Sequence, residues 1–164
     1  MQSHLKPSIN ILNSALELGY SYFFPKENLC SFKVGDVFDG NNVLDRVIRG
    51  NKHIDTSPEL KAFFTQHIEY LRQHYSVEQD APLFPGYEGK SGKKKLQRHI
   101  RKYSTYWDFH ELVNESYKNA EKTISNKDLD IKERLKEISR ITGKSERAIK
   151  HSLYEKFNPT VNRH

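Results

Sequence analysis

Residues 29 to 54 read Leu29-Cys30-Ser31-Phe32-Lys33-Val34-Gly35-Asp36-Val37-Phe38-Asp39-Gly40-Asn41-Asn42-Val43-Leu44-Asp45-Arg46-Val47-Ile48-Arg49-Gly50-Asn51-Lys52-His53-Ile54. Two short apolar or β-branched runs, Phe32 to Phe38 and Val43 to Ile48, are separated by Asp39-Gly40-Asn41-Asn42 and followed by Gly50-Asn51. Asn, Asp and Gly tolerate the left-handed backbone of tight hairpin turns. Two such turns between strand-like runs predict an antiparallel three-stranded meander.

The rest of the chain reads as helix. Upstream, Ile11, Leu12, Ala15, Leu16, Leu18, Tyr22 and Phe23 recur at mostly helical spacing before Pro25 closes the element. Downstream, Ser57-Pro58 is a helix start, an N-cap oxygen followed by the residue best tolerated in a first turn, and Leu60, Phe63, Phe64, Ile68, Leu71 and Tyr75 follow at helical spacing. Residues 79 to 92 predict a loop pinned by Leu83 and Phe84, and a basic helix then runs from about Lys93 to Tyr103. Trp107 to Lys122 and Ile131 to about Gly143 predict two further helices, and Ser145 caps a last one through Phe157, stopped by Asn158-Pro159. The expected fold class is α+β: one mostly helical domain over residues 1–164 with a small three-stranded antiparallel sheet.

Composition narrows the function. A length of 164 residues suits a single core, and 12% aromatic residues are too many for a disordered chain. No run approaches the roughly 20 apolar residues of a membrane span, and the N-terminus lacks a charged-then-apolar signal pattern, so a soluble, cytoplasmic protein with no membrane partner is expected, and a nucleoid-associated one if the DNA-binding reading below holds. The single cysteine, Cys30, excludes an intrachain disulfide and a cysteine-rich zinc site, and Leu29 and Phe32 beside it imply a packed thiol. The eight histidines form no His-x-x-x-His pair and no HExxH, so no metal is expected. Gly86, Gly89 and Gly92 recur every three residues with no strand before them, which is not the spacing of a phosphate-cradling loop, and no cofactor is expected.

The net charge is +6, but residues 1–90 carry 9 basic and 11 acidic side chains, whereas residues 91–164 carry 18 and 10. Positive charge therefore belongs to the second half. Lys93, Lys94, Lys95, Arg98, Arg101 and Lys102 occupy the basic helix with no acid, opposite Leu96, Ile100 and Tyr103. Cations on one helix side suit phosphate contacts whose energy comes from counterion release, and mixed signs are the norm on a merely solvated face. The last two helices, joined through Thr142-Gly143-Lys144-Ser145, have helix-turn-helix spacing. There Lys144, Arg147, Lys150, His151 and Tyr154 would line an exposed face, with Ala148, Ile149, Leu153 and Phe157 buried.

A helix, the meander from Leu29 to Val37, the turn Arg49-Gly50-Asn51-Lys52, Thr56-Ser57-Pro58-Glu59-Leu60, then Ala81-Pro82-Leu83-Phe84-Pro85-Gly86 and Leu96 to Tyr103, taken in order, resemble the catalytic domain of tyrosine recombinases. The resemblance spans roughly residues 10 to 157. It implies a DNA-bound protein whose relatives attack a phosphodiester with a tyrosine, assisted by two arginines and a lysine or histidine. Ser21 to Pro25 holds no arginine where the first would fall, and His110-Glu111-Leu112-Val113 resembles the family's His-x-Leu-Arg motif with Val113 in the arginine's place. Lys144 follows Gly143 where a later His or Trp is usual, Lys52 keeps the hairpin amine, and Tyr154 lies near the nucleophile position.

Losing one preorganised oxyanion donor costs roughly 3 to 4 kcal/mol of barrier. The resemblance thus implies a non-catalytic accessory or regulatory DNA-binding factor of a mobile element, with Tyr154, His110 and Lys52 as vestigial site residues. Arg49, Lys52, Lys93, Lys94, Lys95, Arg98, Arg101, Lys102, Lys144, Arg147 and Lys150 are the expected DNA contacts. The expected partners are double-stranded DNA and either a second copy or a full-length recombinase, because the chain is too short for the family's N-terminal clamp domain. Two other readings stay open: a strand transferase using Tyr154 with Lys52, Arg49 or Lys144 in place of the arginines, and a protein-interaction module presenting Leu153, Tyr154 and Phe157.

Overall fold

The computed structural model describes residues 8–155, so the expected helix end at Phe157 and the stop at Asn158-Pro159 lie outside the described residues. The backbone groups into two compact units, one ending at Phe109 and the other beginning at His110.

The first unit contains α1 (Ile9–Ser21), α2 (Lys26–Ser31), β1 (Arg46–Arg49), β2 (Lys52–Asp55), α3 (Pro58–His74) and α4 (Gly89–Tyr103). Ser8 and Ser57 each accept a hydrogen bond from a backbone N–H in the first turn of their helix, at Ile11 and Leu60. These caps satisfy donors that a helix start otherwise leaves open. The core is built from Ile11, Leu12 and Leu18 of α1, Phe64, Ile68 and Leu71 of α3, and Phe24, Leu29 and Val34 between them, all fully buried. Leu83 and Phe84 pin the loop after α3, buried as expected. That loop is shorter than the sequence suggests, because Gly89 to Gly92 already belong to α4.

The sheet differs from expectation: it has two strands, with Arg46 opposite Asp55 and Arg49 opposite Lys52, and among the described residues no third strand precedes them. The segment expected to supply it winds into α2 and then into a tight helical turn at Val34–Asp36. Its backbone groups pair with the loop after α3. Val34 N–H donates to the Ala81 carbonyl at 2.8 Å, Gly35 N–H to Gln79 at 2.9 Å, and Phe32 accepts from Leu83 N–H at 2.9 Å. Asp36 closes the turn by accepting from Lys33 N–H at 2.8 Å. The Asp39-Gly40-Asn41-Asn42 turn does form, with Asp39 Oδ1 accepting from the N–H groups of Asn41 and Asn42, but pairing stops at a single Phe38–Val43 bridge.

The second unit contains α6 (Ile131–Thr142), α7 (Glu146–Lys150) and a wide π turn at His151–Glu155, together with α5 (Phe109–Lys122), whose first residue closes the first unit. Asp130 caps α6 by accepting from Glu133 N–H. Gly143, at φ 73°, ends it, and its N–H returns to the Ser139 carbonyl at 2.8 Å. A side chain would strain that left-handed conformation. Ser145 caps α7 through Ala148 N–H, giving two helices joined by three residues. Ile149 is fully buried, whereas Ala148 is exposed and Leu153 only half-buried, contrary to the apolar stripe expected there. Among the described residues no helix is long and apolar enough to cross a membrane.

Candidate nucleic-acid interface

α4 is seated by its small and apolar side. Gly92, Leu96 and Ile100 are buried at four-residue intervals. A Cβ at Gly92 would lie 2.1 Å from the Tyr87 carbonyl carbon, so the helix backbone rests directly on the chain that precedes it. Tyr87 Oη and His99 Nδ1 lie 2.7 Å apart and tie the flank. Burial pushes the Tyr87 hydroxyl up, and burial followed by the charges of Arg98, Lys95 and Lys102 pushes His99 down, so both are uncharged at neutral pH.

The opposite side is cationic. Lys90, Lys94, Arg98, Arg101 and Lys102 are exposed, and Lys93 and Lys95 are half-buried at its margins. Lys94, Arg98 and Arg101 follow at spacings of four and three, which places them on one stripe about one helical turn, roughly 5.4 Å, apart. Among the described residues, none of the ion pairs engages a side chain of this helix; the carboxylates pair instead with Arg46, Lys61, Arg72, Lys118, Arg134 and Arg140. The first turn of α4 holds no acid, so its early lysines oppose the positive end of the helix dipole. An external polyanion would relieve that repulsion.

Past the helix, Ser104 donates to the Ile100 carbonyl and accepts from Tyr106 N–H, turning the chain back. Trp107 is thereby brought beside Arg101, whose guanidinium carbon lies 4.0 Å from the centre of the indole ring. Trp107 is 60% exposed. In the sequence Trp107 marks only the start of an expected helix, although it is the one tryptophan and lies close after the basic run.

The other expected contacts have different surroundings. Arg49 is half-buried, its Nη1 donates to the Tyr22 carbonyl at 3.3 Å, and burial holds its pKa below the ordinary guanidinium value. Lys52, facing Arg49 across the hairpin, is exposed. Arg147 and Lys150 are exposed on α7, whereas Lys144 is half-buried in the turn, where its carbonyl accepts from Ser139 Oγ at 2.6 Å.

Tyr154, half-buried in the π turn, donates its hydroxyl to Glu121 Oε2. Burial, that bond and the Glu121 charge push its pKa above the ordinary tyrosine value, which opposes the ionisation a nucleophile needs. His110 is exposed in the first turn of α5, and eleven residues of helix, about 16 Å, separate it from Glu121. His110 and the Tyr154 hydroxyl therefore do not form one site. Cys30 is buried, and burial pushes its thiol up to about 11. Among the described residues no group of three His, Cys, Asp or Glu is placed to hold a metal.

No family model matches this chain, and neither a curated protein nor a solved structure matches it.

Proposed function

We propose that this protein binds DNA without cutting it, using the outer side of α4 to contact the sugar-phosphate backbone. The observation that carries this reading is a fifteen-residue helix with five exposed cations and no carboxylate partner among the described residues. Surfaces that have no polyanion to meet usually intersperse acids with bases. A polyanion gains here because each neutralised phosphate releases condensed counterions. Lys94, Arg98 and Arg101 supply the central contacts, with Lys90, Lys93, Lys95 and Lys102 beside them. Arg49 contributes less, since its guanidinium is partly engaged by Tyr22. Lys52 adds a charge at the hairpin, and Arg147 and Lys150 offer a second cationic set on α7. The accessory role in recombination rests on the sequence resemblance alone.

The test compares two variants with the same change in net charge. Fluorescence anisotropy with a labelled duplex should show Lys94→Glu weakening binding about tenfold and Lys132→Glu, an exposed lysine on α6, leaving it nearly unchanged. Equal effects of the two would mean that overall charge, and not α4, attracts the DNA. No duplex binding by the wild-type chain would overturn the reading.

A further inference from the structure

We infer that Trp107 and Arg101 form a stacking platform for an unpaired base, so that the preferred ligand of this surface is DNA carrying a single-stranded segment. The inference rests on the proposal that α4 binds DNA phosphates, and it names the class of DNA. A tryptophan 60% exposed is not a core anchor, since a side chain of that size usually hides most of its surface. The loop holding it is nonetheless fixed. Ser104 makes two hydrogen bonds to the backbone around it, and the ring of the adjacent Tyr106 lies 6.4 Å from Tyr20 of α1.

Arg101 packs against the indole at 4.0 Å and belongs to no ion pair among the described residues. A guanidinium whose carbon sits over an aromatic ring engages that ring through its charge and leaves N–H donors for phosphate oxygens. Base stacking and phosphate pairing thus become available to one nucleotide at the end of the Lys94–Arg98–Arg101 stripe. In an intact duplex each base is already covered by its neighbours, and taking one out costs unstacking energy. A base in a single-stranded segment carries no such cost, and aromatic stacking accepts any base.

Trp107 is the only tryptophan, so its emission reports on its own environment. The wild-type chain is titrated with a blunt duplex and with a duplex of equal phosphate count that ends in a five-thymidine overhang. The overhang should bind about five- to a hundredfold tighter and quench the indole emission. With each variant's overhang affinity taken relative to its own blunt-duplex affinity, Trp107→Ala should lose that preference and Trp107→Phe should keep part of it. Equal binding of both duplexes, an overhang preference that survives in Trp107→Ala, or emission unchanged at saturation would overturn the platform and leave the phosphate surface standing. Absence of binding to either duplex would overturn both.

Discussion

Tyr154 gives its phenolic hydrogen to Glu121, and the same carboxylate oxygen lies 3.7 Å from Arg134 Nε. One acceptor thus joins α5, α6 and the turn after α7, and the geometry makes Tyr154 a strut. Tyr154→Phe should lower stability by about 1 kcal/mol in urea denaturation and leave duplex affinity unchanged. A covalent adduct on a nicked duplex that disappears in Tyr154→Phe would instead make this residue a nucleophile.

A buried histidine gives the first unit a pH dependence. His67 is 3% exposed, its Nε2 donates to the Leu83 carbonyl at 2.6 Å, and its Nδ1 has no partner. Burial lowers its pKa, outweighing the opposing effect of the Leu83 bond. The unfolded chain therefore binds a proton at His67 below about pH 6.5 while the folded chain still resists it, and stability falls as pH drops through that range. Below the lowered folded-state pKa the loss is complete and levels off. His99, lowered mainly by burial, acts in the same direction. The urea midpoint should fall between pH 7 and pH 5, and His67→Gln should remove most of that slope; a slope of the same size in the variant would assign it elsewhere.

The seat of α4 offers a sharper mutational test. Because a Cβ at Gly92 would meet the Tyr87 backbone at 2.1 Å, Gly92→Ala cannot be absorbed by a side-chain rotation. The helix must shift, at a cost of roughly 1 to 3 kcal/mol or more. Thermal unfolding should show a clear loss, and duplex affinity should fall although no charge has changed. A variant as stable as the wild type would mean that α4 is not seated on Tyr87.

Local chemistry made most helices legible. Ser57-Pro58, Gly143 and Ser145 act at the positions their types suggest, as N-cap with first turn, left-handed terminator and N-cap. The missing strand was legible only in part. Phe32, Val34, Val37 and Phe38 are the buried residues of that run, a pattern that breaks the two-residue period of a half-buried strand. Its actual partners, Gln79, Ala81 and Leu83, lie more than forty residues away, beyond the reach of any local signal. Asn28 shows the same limit: from within α2 its amide exchanges two hydrogen bonds with Gly50 at the hairpin tip. At the candidate interface the cationic stripe is visible in the sequence as six bases without an acid from Lys93 to Lys102, whereas the inclusion of Lys90 in α4, the burial of Arg49 and the Arg101–Trp107 contact depend on the folded structure.

The central claim is tested most directly by the salt dependence of duplex binding. Each neutralised phosphate contributes about −0.9 to the slope of log K against log salt, so three to five contacts from α4 predict a slope between about −3 and −4.5. Replacing Lys94 and Arg98 together by glutamate should make it shallower by about 2. A slope near zero, or one unchanged in the double variant, would contradict the account.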